Sequence, residues 1–383
     1  MPVFAMRHAL SWILFCAIPF WISGTAFLTG CSQGVLSVAR TQTSPDPKPE
    51  LRPAVDPAPT SVNPPNTQTK EVDPNTTTPE IATRPSPSST AEIQPEPTNP
   101  AENSTDRLKN ILVADNTAIT DIAGWIEKNR KAQRVSNSER EFLTFRIRKR
   151  LDDIRQMYMS FLKDHPNHTK ARVAYGSFLK HIDDRQGALG QWKKALADDP
   201  SNAAALNNIA THIGTIAIQN NIRTRIPEAF QSLEKAIALA PDEALYRHNF
   251  ATTLSLFRLD AMRHYKISAG EVTQRALTEL GKGMELAPDN FEIAADRAET
   301  FLDIKPLPRQ RALQAWERAR TIANQKIQRD WVNLQIAIVH LETGELDAAE
   351  TNLDLVSKDA FQKLVRDLRT ALSSKRAAKK AKP

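Results

Sequence analysis

Small and large residues recur at one fixed spacing in this chain, each time ahead of a proline, and this recurrence restricts the fold more than any other feature. Ala188, Trp192 and Ala195 precede Pro200; Ala229, Leu233 and Ala236 precede Pro241; Ala276, Leu280 and Gly283 precede Pro288. Residues three and four apart share one face of an α-helix. Each phrase therefore describes a helix whose small residues admit a close neighbour and whose large residue interlocks with it. The proline then ends the helix. Upstream of these phrases a large and a small residue pair repeatedly, at Tyr175–Gly176, Ile209–Ala210, Phe250–Ala251 and Ile336–Ala337, with Leu179, Ile213 and Leu254 following the first three. Weaker copies stand at Ala312, Trp316 and Ala319, with Asn324 in place of the proline, and at Ile154, Tyr158 and Phe161 before Pro166.

Together these phrases resemble the tetratricopeptide repeat, a helix-turn-helix unit of about 34 residues. The resemblance implies an all-α fold, a tetratricopeptide-like helical-hairpin solenoid or superhelix, over residues 140–373. Residues 105–139 read as a divergent helical cap, and Ala360–Ser373 as a closing helix, because a repeat buries its face only against neighbours. The units starting near Asn207 and His248 carry about 7 and about 13 extra residues, so long turns are expected at Gln219–Ile226 and Phe257–Val272. Arg297 stands where a large apolar residue belongs.

The same resemblance implies that the first helix of each unit lines a concave groove for a protein or peptide partner. Here those positions hold Lys170, Val173, Ala174, Ser177 and Lys180, then Asn207, Asn208 and Thr211, then Leu245, His248, Asn249, Thr252 and Ser255. Asn208 and Asn249 sit at one repeat position, where an amide can bond both the N–H and the C=O of an extended peptide; contact with water or with the next repeat is the alternative.

The rest of the chain is of another kind. Fifteen of the 25 prolines lie between Thr41 and Ser104, a stretch without Gly, Phe, Trp or Tyr. Such a segment buries too little apolar surface to offset its ordering entropy, so 41–104 reads as a disordered Pro/Ser/Thr-rich tether. Its reach is roughly 45 Å as a coil and roughly 200 Å in extended polyproline II. Before it, Arg7 and His8 lead into Ala9–Leu28, which carries no charge, and then Leu28, Thr29, Gly30 and Cys31. This is the layout of an export signal, and its end resembles the lipobox of bacterial lipoproteins. The resemblance implies a signal peptide over 1–30, an acylated Cys31 opening a mature segment 31–40, and a chain anchored to the outer membrane facing the periplasm. An uncleaved anchor helix is the alternative, since about 20 apolar residues span a bilayer.

Chemistry is sparse. Cys16 and Cys31 are the only cysteines, so the body has neither a disulfide nor a thiol nucleophile. His165 and His168 straddle a helix end and lack the same-face spacing of metal ligands. No phosphate-cradling loop or nucleophile elbow occurs. Neither catalysis nor a metal or cofactor is expected. After Ser104 there are 45 basic and 35 acidic groups, and half of that +10 excess sits in a basic tail, 374–383. The tail reads either as a solvated, frayed helix end or as a contact for anionic polymer or lipid headgroups rather than nucleic acid, since the residues between its lysines offer no stacking platform. The reading is a membrane-anchored envelope scaffold that binds a partner segment, in envelope assembly, pilus or secretion machinery or cell-wall regulation. The alternatives are an accessory cell-wall or polysaccharide-processing enzyme, or an adaptor for anionic polymers.

Overall fold

A computed structural model describes residues 100–131, 136–357 and 361–380. The segment 1–30 read as an export signal, Cys31 and residues 41–99 of the stretch read as a tether lie outside them. Among the described residues every regular element is helical. The chain folds as a solenoid of helical hairpins, in which α1 (Pro100–Lys131) pairs with α2 (Asn137–Asp164), α3 (Thr169–His181) with α4 (Arg185–Asp198), and α5 (Ala203–Asn220) with α6 (Ile226–Leu239). Next come α7 (Ala244–Leu256), the short α8 (Arg258–Tyr265) and α9 (Ala269–Leu286), then α10 (Phe291–Thr300) with α11 (Arg309–Ile322) and α12 (Lys326–Thr343) with α13 (Leu346–Asp354). The helix α14 (Gln362–Lys380) closes the array against α12 and α13.

Local chemistry sets the boundaries. The N-terminal N–H groups of a helix lack intrahelical acceptors, and here side chains satisfy them. Asn202 Oδ1 accepts from the Ala205 N–H at 3.0 Å, and Asn290 Oδ1 from Ile293 at 3.1 Å. His168 uses its Nδ1 in the same way toward Ala171, so one of the two neighbouring histidines is a helix cap. Pro200, Pro241 and Pro288 each directly follow the C-cap residue of α4, α6 and α9, namely Asp199, Ala240 and Ala287.

Packing follows the repeated phrase. Ala188, Ala195, Ala229, Ala236 and Ala276 are fully buried, as are Trp192 and Leu233 between them. At Gly176 the need for a small residue is steric. An added Cβ would lie 2.7 Å from Cδ1 of Trp192, whose Nε1 donates to the Val173 carbonyl. Two apolar clusters run along the array, one from α1 to α10 and one from α9 to α14, and Met284 packs against both.

Three expectations need correction. The first insertion is spent mainly on lengthening α5, which ends at the left-handed Asn221, leaving a short turn to α6. The second is not a long turn but contains α8, held to α6 by the Tyr265 and Phe230 rings at 5.6 Å. The two insertions also meet, Arg223 lying 3.5 Å from Asp260. Last, α14 continues to Lys380 through most of the stretch read as a tail. Lys375 Nζ donates to the Leu341 carbonyl, and Arg376 pairs with Asp347 and Glu350, so these two cations are tied to the array.

Candidate functional site: the inner face of the array

Successive first helices touch one another, α3 with α5, α5 with α7 and α7 with α10. This contact makes their shared side the inner side of the curve. The open stretch ends at α12, where Trp331, Leu334, Gln335 and Ile338 occupy the corresponding positions and are all buried.

Across α3, α5 and α7 the inner side is stitched by a directional relay of side chains. Asn249 Nδ2 donates to Asn207 Oδ1 at 2.8 Å, Asn207 Nδ2 to Asn208 Oδ1 at 3.2 Å, and Asn208 Nδ2 to Ser177 Oγ at 3.3 Å. Ser177 in turn donates to the Val173 carbonyl. Asn207, Asn208 and Ser177 are 1%, 5% and 3% exposed. The amide of Asn208 is therefore turned into the wall and not toward a peptide, which corrects the paired role given to Asn208 and Asn249. It matches the alternative of contact between repeats. Asn249 is only half-buried, and its Oδ1 has no bond among the described residues.

Of the other residues expected there, Lys170 is exposed, and Lys180, Thr211, His248 and Thr252 are half-buried. Thr211 Oγ1 is bound to the Asn208 carbonyl.

From α7 to α10 the stitching becomes ionic. His248 Nε2 lies 2.7 Å from Asp296 Oδ2, and Thr252 Oγ1 donates to the same oxygen at 3.3 Å. Burial alone would lower the His248 pKa, but the hydrogen bond and charge of Asp296, with the charge of Glu292, raise it. Burial pushes the Glu292 carboxyl up to about 7, a rise opposed by His248 and aided by the charge of Asp296. The inner face thus runs from lysines at α3 to carboxylates at α10. Neither Glu292 nor Asp296 figured among the sequence-derived groove residues. Counted from Arg297–Ala298, Glu292 and Asp296 occupy the repeat positions that Leu245 and Asn249 hold when counted from Phe250–Ala251.

Arg297 itself takes the place of the large apolar residue of this unit. Its guanidinium lies over the Phe301 ring at 5.6 Å, with Arg311 over the same ring at 5.1 Å, so a cation–π contact fills the place of aliphatic packing. Burial and the charge of Arg311 lower its pKa.

Glu292 makes stability depend on pH. A carboxyl whose pKa is raised by folding adds stability below its unfolded pKa, and that contribution fades as pH rises through the folded value. Glu292→Gln is therefore expected to match the native chain near the ordinary carboxylate range and to exceed it by about 1–2 kcal/mol at about pH 8, read by urea denaturation at both ends.

No protein-family model matches this chain, and no sequence among curated proteins matches it. Solved structures with a similar backbone course include YrrB, described as a TPR protein with an unusual peptide-binding site, at 15% identity over 58% of this chain and 97% of that one, with a TM-score of 0.41. PilF of Pseudomonas aeruginosa is 16% identical over 68% of this chain and 99% of its own, with a TM-score of 0.45. PilW, described as a type IV pilus biogenesis factor, is 14% identical over 58% and 91%, also at 0.45.

Proposed function

We propose that this chain is a membrane-anchored envelope scaffold that holds a segment of another protein along its inner face. The supporting observation is the polar seam from Ser177 to Asp296, which links four first helices side by side and grades from Lys170 and Lys180 to Glu292 and Asp296. A fitting partner segment carries acidic residues toward α3 and basic residues toward α10, with backbone amides reaching the open acceptor Asn249 Oδ1. Electrostatic grading of this kind sets the direction and register of a bound segment more than its affinity. The array acts by binding, and the tether lets it work away from the bilayer. Its setting is the periplasmic side of an outer membrane, reached through acylated Cys31, in envelope assembly, pilus or secretion machinery, or cell-wall regulation.

Two measurements test this reading. Changing Asn249 to Ala and Glu292 to Gln together is expected to weaken capture of a co-purified envelope partner about tenfold while the array stays folded, since a lost charged hydrogen bond is worth about 1.5–3 kcal/mol. Equal capture by the double variant would remove the groove from the account. Cys31→Ser is expected to shift the chain from the membrane to the soluble fraction, whereas retention in membranes would favour an uncleaved apolar helix.

The neutral-range carboxyl of Glu292 beside Asp296 also favours a second reading, a polysaccharide- or cell-wall-processing accessory enzyme, because raised carboxyl pKa values suit general acids. Clearing of a cell-wall zymogram by the native chain but not by Glu292→Gln would support it. Asp296, however, is already engaged by His248 and Thr252.

A further inference from the structure

The α1–α2 hairpin extends beyond the array that it caps. Its second helix has 28 residues where its neighbour α3 has 13, and its buried residues Ile154, Tyr158 and Phe161 all lie in its second half. In the first half only Ile147 is buried, and neither it nor Ile122 of α1 belongs to the two main apolar clusters. The hairpin tip is thus a two-helix ribbon standing clear of the core.

That ribbon presents aromatic rings and cations together. Phe142 and Phe145, one helical turn apart, are 65% and 63% exposed. The Arg146 guanidinium covers the half-buried Trp125 at 3.8 Å from the ring centre. Residues 121–150 contain nine basic and four acidic side chains. Arg130 and Arg150 are offset by Glu127 and Asp121, while Arg140, Arg148 and Lys149 are exposed and have no ion pair among the described residues. Exposed rings flanked by cations on one side of a helix have the composition of an interfacial element, whose rings enter the acyl boundary while the cations meet anionic headgroups.

We infer that the α1–α2 tip docks onto an anionic lipid surface through Phe142, Phe145, Arg148 and Lys149. The chain itself brings a bilayer within reach. Its uncharged stretch Ala9–Leu28 and the Pro-rich residues 41–99 precede the hairpin, and a coil of that length would reach roughly 45 Å. A helix of 32 residues such as α1 is about 48 Å long, so the tip stands well away from the point where the tether joins. Docking there would lay the array along the membrane and fix where its inner face looks. This goes beyond groove binding and holds whether or not Cys31 is processed.

The test is amide hydrogen exchange on the full chain reconstituted with vesicles of phosphatidylcholine alone, or of phosphatidylcholine with phosphatidylglycerol. Exchange over 137–150 is expected to slow about tenfold only with the anionic lipid, and the protection should weaken in high salt. Replacing Phe142 and Phe145 by Ser should abolish it without changing exchange in α5 and α7, since both rings are already exposed. Equal exchange in both vesicle types, or protection that survives the double substitution, would overturn the proposal. So would slowing that appears with protein concentration in the absence of vesicles, which would make the tip a contact between copies of the chain. Loss of partner capture in groove variants leaves this readout untouched.

Discussion

Gly176→Ala destabilises the array by about 3 kcal/mol, with a fall in Tm on the order of 10 °C, while Gly190→Ala in the same hairpin leaves it unchanged or slightly more stable. The difference lies in what a methyl group meets. At Gly176 the new Cβ falls within 3 Å of the Trp192 indole, whereas at Gly190 nothing lies within 4 Å. The indole has no easy escape, because Trp192 is fully buried and its Nε1 is bonded to the Val173 carbonyl at 3.2 Å. Relief requires α3 and α4 to separate, which loosens the contact that defines the unit. Thermal unfolding of both variants decides it, and an unchanged Tm for Gly176→Ala would contradict the register of the repeat.

Asn208→Ala is expected to cost about 2 kcal/mol although it removes only a few atoms. The loss is polar rather than steric. Asn207 Nδ2 loses its acceptor and Ser177 Oγ its donor, and both groups lie in the wall between repeats. A buried amide left without a partner keeps its desolvation penalty. Asn249→Ala should be milder because Asn249 is half-buried and water can replace it. Chemical denaturation should rank the two in that order, and the reverse order would mean that Asn208 faces solvent.

The hairpins were legible because their signal is local. A small residue, a large one and another small one on one helical face, closed by a proline, demand the same packing wherever they occur, and Ala188, Trp192 and Ala195 show it as plainly in sequence as in space. The helix α8 was not legible. Within its eight residues only Ala261 is buried, and the contact of Tyr265 with Phe230 comes from a helix elsewhere in the sequence. Short helices of this kind depend on tertiary packing more than on their own pattern. The continuation of α14 follows from the Ala, Lys and Arg content of 375–380, which favours helix, and from carboxylates on α13 that receive Arg376.

Within the candidate site, the sequence located the inner-facing positions but not their partners. The repeat position of Asn208 does not say whether Ser177 of the preceding unit lies within reach, since that distance depends on how units stack. Glu292 and Asp296 were readable, since the position given to Arg297 puts both among the inner-facing residues of their unit.

A photo-crosslinking amino acid placed at Thr252, in the ionic part of the inner face, and at Leu239, which is 42% exposed on the second helix α6, tests the central claim most directly. In intact cells Thr252 should yield a discrete crosslinked species that the Asn249 and Glu292 double substitution removes, with none from Leu239. Crosslinking of equal yield from both positions, or unaffected by the double substitution, would contradict an inner face built to hold a partner.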